Sequence, residues 1–222
     1  MRIFSAYFAA LFFALSSVSV HAQSADFDAE LAAIQSAWAD ANYNTPHGNA
    51  QVQAFDALAK RADAFVEANP GRAEPLIWKG IVLSTYAGAK GGLSALKLAK
   101  QSRAALQASL DIDPKALDGS AYTSLGALYF KVPGFPLGFG DDGKARDYLE
   151  RALGMSPDGI DPNFFYGEFL LEQGERDEAL RHLHKALAAP ARAGRERADE
   201  GRRKEIEATI AKIESERLAT RR

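Results

Sequence analysis

The stretch that decides the fold is "PNFFYGEFLLEQGERDEALRHLHKALAAP", residues 162–190. A short Gln-Gly turn separates two segments whose apolar residues recur every three or four positions, which is the spacing of amphipathic helices. Gly167 lies on the first segment, and Ala179, Leu183 and Ala186 lie on the second. The pattern predicts a helical hairpin in which small residues let the two helices cross closely.

The same pattern recurs twice upstream. Gly126, Ala145, Leu149 and Ala152 repeat these positions, with seven additional residues between the first and the second. A weaker copy occupies residues 80–114 and carries a ten-residue insertion. Internal self-similarity at a recurring spacing predicts a repeat protein whose units stack on one another.

The repeats predict an all-α solenoid of about four helical hairpins with a C-terminal capping helix, because the open end of a solenoid needs a helix with a charged outer face. Prolines that stop a helix follow the predicted second helices at Pro70, Pro114, Pro157 and Pro190. Asp161 is predicted to be an N-cap, since Pro162 suits the first helical position. The predicted segments are 23–70 (N-terminal helices), 75–114, 120–157, 162–190 (repeats) and 198–218 (capping helix).

Residues 1–22 have the pattern of a secretory signal peptide. Arg2 precedes an apolar run over residues 3–15, and Val20-His21-Ala22 is a small-x-small cleavage pattern. The chain contains no cysteine, so it lacks both disulfides and the residue that lipoproteins acylate. We therefore expect a soluble periplasmic or secreted protein of residues 23–222, with no stable membrane anchor.

The charge balance argues against nucleic acid as a partner. The chain has 27 basic and 29 acidic residues, a net charge of −2. Removal of the leader takes away one arginine and no acid, which leaves −3. Proteins that bind nucleic acid normally present a strongly basic surface.

The segment "KVPGFPLGFGDDGKA", residues 131–145, resembles a phosphate-binding loop. Gly138 and Gly143-Lys144 have the required spacing, but Ala145 stands where that motif needs a Ser or Thr hydroxyl for Mg²⁺. Two aspartates within the loop would also repel phosphate. We predict no nucleotide and interpret the segment as an elaborated turn.

Turn chemistry explains most of this segment. Its glycines are expected to adopt backbone angles closed to other residues, and Asp141 or Asp142 to cap the next helix. Phe135 and Phe139 need another explanation. We predict that they dock onto the domain and are at least partly buried, and the alternative is that they line a ligand groove.

Enzymatic chemistry has little support. Cysteine is absent, and the predicted mature chain has only three histidines, which leaves almost no nucleophile and base arrangement. His182 and His184 are two residues apart on a predicted helix, roughly 200° around its axis, so they cannot chelate one metal. We predict no catalytic activity, no cofactor and no metal site.

The segment "RAGRERADEGRRKE", residues 192–205, is rich in both charges. It could form an anion-binding patch. The interpretation we favour is a solvated helix stabilised by pairs four residues apart, such as Glu200 with Lys204.

The helical hairpin resembles the tetratricopeptide repeat. Residues 75–205 are also similar to the periplasmic T-component proteins associated with TRAP transporters and to their uncharacterised relatives, through "GFGDDGKARDYLERAL" and "DPNFFYGEFLLEQGERDEALRHLHKAL". The resemblance implies an all-helical protein without enzymatic activity. Such a protein would bind a periplasmic substrate-binding protein or a small, partly apolar ligand.

Two functions follow as hypotheses. The first is an adaptor that binds a protein or peptide on the concave face formed by the first helices of the repeats. The second is a transport-linked carrier of a small, partly apolar ligand, roofed by the two loop phenylalanines. The candidate binding residues are Ile81, Ser84, Thr123, Phe130, Lys131, Phe135, Phe139, Phe164 and Glu168.

Overall fold

The computed structural model describes residues 24–220, so the predicted signal peptide lies outside the described residues. Helices joined by turns make up this part of the chain. The first helix, α1, covers residues 24–39 and continues into a π-helical turn at Asp40–Asn44. The others are α2 (Asn49–Ala68), α3 (Ala73–Lys90), α4 (Gly92–Ile112), α5 (Ala116–Lys131), α6 (Asp142–Met155), α7 (Ile160–Glu172), α8 (Arg176–Leu187) and α9 (Glu196–Thr220).

Consecutive helices pair as hairpins. α3 packs chiefly on α4, α5 on α6, and α7 on α8. At the N-terminal end, α1 and α2 pack through Phe27 and Phe65, whose ring centroids are 5.0 Å apart. At the other end α9 packs against α8 and α7. These pairings confirm the predicted all-α solenoid of stacked hairpins with a C-terminal capping helix.

In three hairpins a glycine of the first helix lies against a leucine of the second. A Cβ atom on Gly126 would be 2.5 Å from Leu149 Cγ, and one on Gly167 would be 2.9 Å from Leu183 Cγ. Real Cβ atoms do not approach so closely, because cores are already packed at crystal-like density. The predicted close crossings at Gly126 and Gly167 are confirmed. The third pair is Gly80 and Leu106.

The two predicted insertions have different structures. In the α3–α4 hairpin the extra residues lengthen both helices, which meet at Gly91 and Gly92 with φ of 62° and 63°. In the α5–α6 hairpin the extra residues form a loop over residues 132–141. A glycine costs little at such positive φ values, whereas other residues are disfavoured there. The long α3–α4 hairpin therefore turns within two residues and places Leu93 at its exposed tip.

Backbone hydrogen bonds hold the loop over residues 132–141. The amide of Gly138 donates to Gly134 O at 3.0 Å, and the amide of Gly140 donates to Pro133 O at 3.0 Å. The expectation that these glycines adopt special backbone angles is wrong, since none has a positive φ. They are needed for close approach instead, because a Cβ on Gly140 would collide with Val132 O.

The predicted caps are partly right. The side chain of Asp141 accepts a hydrogen bond from the Lys144 amide at 3.0 Å and caps α6. Asp161, however, is not a cap. α7 begins at Ile160 with Gly159 as its N-cap, so Asp161 lies in the first turn and its side chain is available for tertiary contacts.

The two ends of the solenoid meet. Arg197 of α9 forms an ion pair with Asp40 at 2.6 Å, and Tyr43 Oη donates a hydrogen bond to Glu205 Oε2 at 3.3 Å. Gly201 lies directly beneath the Tyr43 ring, where a Cβ would collide. The capping helix therefore contacts both the last hairpin and the N-terminal end, and the solenoid closes around its concave side.

Candidate functional site

The concave side of the closed solenoid contains a groove of about 1050 Å³ that is partly open to solvent. The first helices α3, α5 and α7 supply much of its lining. Most of the rest comes from α1 with its π-helical turn, from α4, from the loop over residues 132–141, and from α9 with the segment before it. Apolar walls include Leu93, Leu96, Val132, Leu137 and Phe165. The end beside α9 is charged, with Asp161, Arg192, Arg195, Arg202 and Glu205.

Six of the nine candidate binding residues line this groove, namely Ile81, Ser84, Thr123, Lys131, Phe164 and Glu168. Lys131 Nζ forms an ion pair with Glu168 Oε2 at 3.1 Å across α5 and α7. Phe164 is 3% exposed and lies beneath the Arg202 guanidinium, 4.3 Å from the ring centroid. These residues lie where the repeat register predicts, on the inner face of the first helices.

Phe130 does not line the groove. It is buried in the core, where its ring meets Phe169 edge-on at 5.8 Å. The reason is the turn of the helix: Phe130 lies one position before Lys131, and successive residues of a helix point about 100° apart. The placement of Phe130 on the groove is therefore corrected to a core position.

The two loop phenylalanines behave differently. Phe139 is half-buried, meets the Tyr129 ring edge-on at 5.6 Å, and lies 4.2 Å beneath the Arg103 guanidinium. Phe135 is 94% exposed, so the prediction that it is partly buried is wrong. Neither ring lines the groove, so neither roofs the cavity as the carrier hypothesis required. Leu137, between them, does line the mouth of the groove.

The resemblance to a phosphate-binding loop finds no support in the loop's geometry. The Asp141 side chain accepts the hydrogen bond of the Lys144 amide at the N-terminus of α6, which is where a phosphate would bind. Lys144 Nζ lies 3.8 Å from Asp141 Oδ2. The prediction that the chain binds no nucleotide stays a prediction.

A left-handed turn borders the groove at the start of α5. Leu117, Asp118 and Gly119 have φ values of 49°, 53° and 75°. Left-handed conformations cost roughly 1–2 kcal/mol for each residue with a side chain. Strain of this kind is concentrated at ligand sites, and both Leu117 and Asp118 line the groove.

The charged end of the groove is an ion cluster centred on Asp161. One of its oxygens accepts from Arg202 Nε at 2.9 Å, and the other accepts from Arg192 Nη1 at 2.8 Å. Arg192 also bonds Asp199, with Nε 2.8 Å from Oδ1, and Arg202 Nη1 lies 2.6 Å from Glu205 Oε2. The cluster joins α7 to α9, so it positions the capping helix over the groove.

The cluster shifts the pKa values of its members. Burial alone would raise the pKa of Asp161, but the Arg202 and Arg192 guanidiniums outweigh burial and hold that pKa at about 2. Burial raises the pKa of Glu205, with Arg202 opposing it. Burial also raises the pKa of Tyr43 above its ordinary value. At neutral pH Asp161 is therefore fully ionised, and both of its oxygens are engaged in ion pairs with Arg192 and Arg202.

Three buried polar atoms within residues 24–220 have no hydrogen-bond partner there: Trp78 Nε1, Thr123 Oγ1 and Arg195 Nε. All three residues line the same groove. Buried polar groups in folded proteins are normally satisfied, so each exception calls for an explanation. Their coincidence in one groove marks it as the candidate binding site.

Sequence reasoning missed the charged end of the groove. The segment 192–205 was expected to be a solvated helix, and its exposed Glu200–Lys204 pair, at 2.7 Å, does have that character. Arg192, Arg195 and Arg202 turn inward instead. The one signal in the sequence was the group of arginines that follows the helix-stopping Pro190. It favoured the alternative interpretation of this segment, an anion-binding patch.

The structure supports no metal site in the part of the chain it describes, since residues 24–220 contain no group of three ligand-type side chains placed to hold an ion. As predicted, His182 and His184 face different sides. His182 Nδ1 lies 3.0 Å from Asn163 Oδ1, and His184 is exposed. Among the helices of the described residues, none combines the length and the apolar character of a membrane span.

Comparison with known proteins agrees with this architecture. The family model of the tetratricopeptide repeat matches residues 137–195, from the end of the loop to the start of α9. The fold is a tetratricopeptide-repeat-like solenoid. The crystal structure of TTC0263, a thermophilic TPR protein of Thermus thermophilus, is 22% identical over 72% of this chain and 82% of that chain, with a TM-score of 0.51.

The crystal structure of MamA is 19% identical over 77% of this chain and 93% of that chain, with a TM-score of 0.43. No curated protein matches the chain. At these identities the likeness of this TPR-like solenoid to solved structures concerns the fold alone, so function must be argued from the groove.

Proposed function

We propose that this chain is an exported, non-enzymatic binding protein that holds an extended segment of a partner polypeptide in the groove of its TPR-like solenoid. The observation that carries the proposal is the coincidence of three unpartnered polar atoms in one groove of about 1050 Å³. An occupant that supplies their partners would remove the cost of leaving them unsatisfied, which is about 1–3 kcal/mol for each group.

The form of the groove favours an extended ligand. It runs across the first helices of successive hairpins, from the α3–α4 tip at Leu93 to the ion cluster at Asp161. Concave surfaces of stacked repeats suit extended partners. The partly open side lets a segment enter while the rest of the partner stays outside, and the exposed Leu137 belongs to the lining of the groove.

A second candidate is a small, partly apolar ligand, and the volume and the apolar walls of the groove favour it. The volume of about 1050 Å³ is just above the range of roughly 300–1,000 Å³ for small-molecule sites. The resemblance of residues 75–205 to TRAP-associated T components supports the same candidate. For the first candidate, a polypeptide partner, the same resemblance suggests a periplasmic substrate-binding protein.

Native mass spectrometry of the protein purified from its own host distinguishes these candidates. A bound mass that fragments into amino acids identifies a peptide, and one that does not identifies a small molecule. Ala127→Trp fills the groove and should abolish the bound mass. Ala104→Trp places the same side chain on the exposed side of α4, outside the groove lining, and should keep it. Wild-type protein without any bound mass, combined with no selection from a displayed peptide library, would contradict the proposal.

Export is part of the proposal and depends on the pattern of residues 1–22. A binding protein released into the periplasm would meet extracellular solutes and other exported proteins, and it would not meet cytosolic nucleotides. The cysteine-free composition suits an oxidising compartment, because no thiol is available for incorrect pairing.

A further inference from the structure

We infer that Arg195 and Trp78 form a subsite for a single carboxylate of the ligand at the α9 end of the groove. The inference deepens the proposed function and rests on it. It names the chemical class of the occupant, which is an amphipathic molecule with one carboxylate and an apolar body.

The first step is the isolation of Arg195. Its Nε is buried without an acceptor among the described residues, and its guanidinium lies 5.0 Å from the Trp78 ring centroid. The ion pairs of residues 24–220 do not include it, because Arg192 and Arg202 already engage the neighbouring carboxylates. A guanidinium keeps its charge in proteins, so a partly buried cation that no ion pair of the described residues engages lies at the groove wall.

The second step is the pair of buried polar side chains that share the groove. Trp78 and Thr123 are 3% and 4% exposed, and neither polar atom has a partner within the described chain. The neighbouring Trp38 is a useful contrast, because its Nε1 donates to Thr85 Oγ1 at 3.0 Å. An indole N–H can only donate, so the missing group at Trp78 is an acceptor.

The third step is charge. Arg192, Arg195 and Arg202 balance the three carboxylates of the cluster in number, but within residues 24–220 Arg195 is the one of these arginines that forms no ion pair. The carboxylates of the cluster, Asp161, Asp199 and Glu205, would repel a dianion such as a phosphate ester more strongly than a monoanion, and a monoanion can hydrogen-bond the one guanidinium of these three that no ion pair of the described chain engages. The planar fork of arginine matches a carboxylate with two parallel hydrogen bonds.

The fourth step is the apolar remainder of the groove. Leu93, Leu96, Leu137 and Phe165 line it away from the cluster. A ligand that reaches Arg195 therefore extends an apolar body toward the mouth. Two sources share this chemistry: an apolar peptide that carries a carboxylate, and a small hydrophobic acid.

The test uses the exported full-length protein and matched probes. Decanoate is compared with decanol, and an apolar hexapeptide with a free C-terminal carboxylate is compared with its amide. The chain contains two tryptophans, Trp38 and Trp78, so a Trp38→Phe background makes Trp78 emission a local readout of binding, and calorimetry gives the affinities.

We expect the carboxylate member of at least one pair to bind about tenfold more tightly than its uncharged counterpart, as a charge-assisted hydrogen bond predicts. Arg195→Gln should remove that preference while the uncharged probe binds as before. Arg151→Gln, on the exposed side of α6, should leave it intact. The pair that shows the preference identifies the source, peptide or small acid.

A stability measurement separates a ligand role from a structural one. Without ligand, Arg195→Gln should be at least as stable as the wild type, because it removes an unpaired cation. Loss of stability in this variant, an unchanged carboxylate preference, or no binding of any carboxylate probe would each overturn the inference. If Ala127→Trp blocks all probes while Arg195→Gln leaves the preference unchanged, the groove still binds and only the carboxylate subsite is refuted.

Discussion

Gly126 lies directly against Leu149, so that a Cβ atom at residue 126 would be 2.5 Å from Leu149 Cγ. The same relationship joins Gly167 to Leu183. In both hairpins the missing side chain of the glycine lets the two helices approach closely where they cross.

Gly126→Ala should therefore destabilise the protein. The added methyl group must displace the buried Leu149, and overpacking of this kind costs roughly 1–3 kcal/mol. Gly154→Ala is the matched control, because its Cβ would meet nothing within 4 Å on a helix of the same hairpin. That variant should be neutral or stabilised by roughly 0.5–1 kcal/mol. Urea denaturation of both variants measures the difference, and equal midpoints would contradict the assigned packing.

The loop phenylalanines should differ in their contribution to stability. Phe139→Ala removes a ring packed between Tyr129 and Arg103 and should lower the free energy of unfolding by roughly 1–2 kcal/mol. Phe135→Ala changes an exposed side chain and should stay within about 0.5 kcal/mol of the wild type. Thermal unfolding of the two variants decides the matter. A large loss in Phe135→Ala would show that this ring packs on the domain in solution.

Stability should fall in acid through Asp161. Its pKa is about 2 in the folded protein, below the ordinary value of 3.8. A depressed pKa contributes stability that is present above pH 4 and is lost as the pH falls toward 2, by roughly 2 kcal/mol. Asp161→Asn should lack this acid-dependent loss. At pH 7 it should be less stable than the wild type by roughly 3 kcal/mol, since it strands Arg192 and Arg202.

Glu200→Gln is the control for that experiment, because Glu200 pairs with Lys204 on the exposed side of α9. Its stability should follow the wild-type pH dependence. Urea midpoints between pH 2 and pH 7 give the comparison. An acid-dependent loss of the same size in Asp161→Asn would show that Asp161 is not its source.

The exported protein should begin at Gln23. Cleavage after Ala22 follows from the small-x-small pattern of residues 20–22. Intact-mass spectrometry of the periplasmic fraction checks this, with an Ala22→Leu variant expected to slow processing. An N-terminus at Met1, or protein retained in the membrane fraction, would contradict the prediction.

Local patterns were enough to predict much of the groove. Ile81, Thr123 and Glu168 line it because they share the inner face of their helices, and a face follows from helical spacing. Phe130 was misplaced by one position, which is about 100° around the helix. Phe135 was misjudged because exposure in a loop depends on where the backbone directs each side chain, and sequence spacing does not encode that direction.

The amino-acid sequence by itself determined the all-helical class, the hairpin register and the proline-marked helix ends, because each depends on residues fewer than about thirty positions apart and on helix geometry. Only the tertiary structure decided that the solenoid closes, through Arg197 with Asp40 and Tyr43 with Glu205. These pairs are 157 and 162 residues apart. Their meeting depends on the summed curvature of all the hairpins. The same closed arrangement places Arg195 at the groove, with its Nε buried and without a hydrogen-bond partner in the described part of the chain.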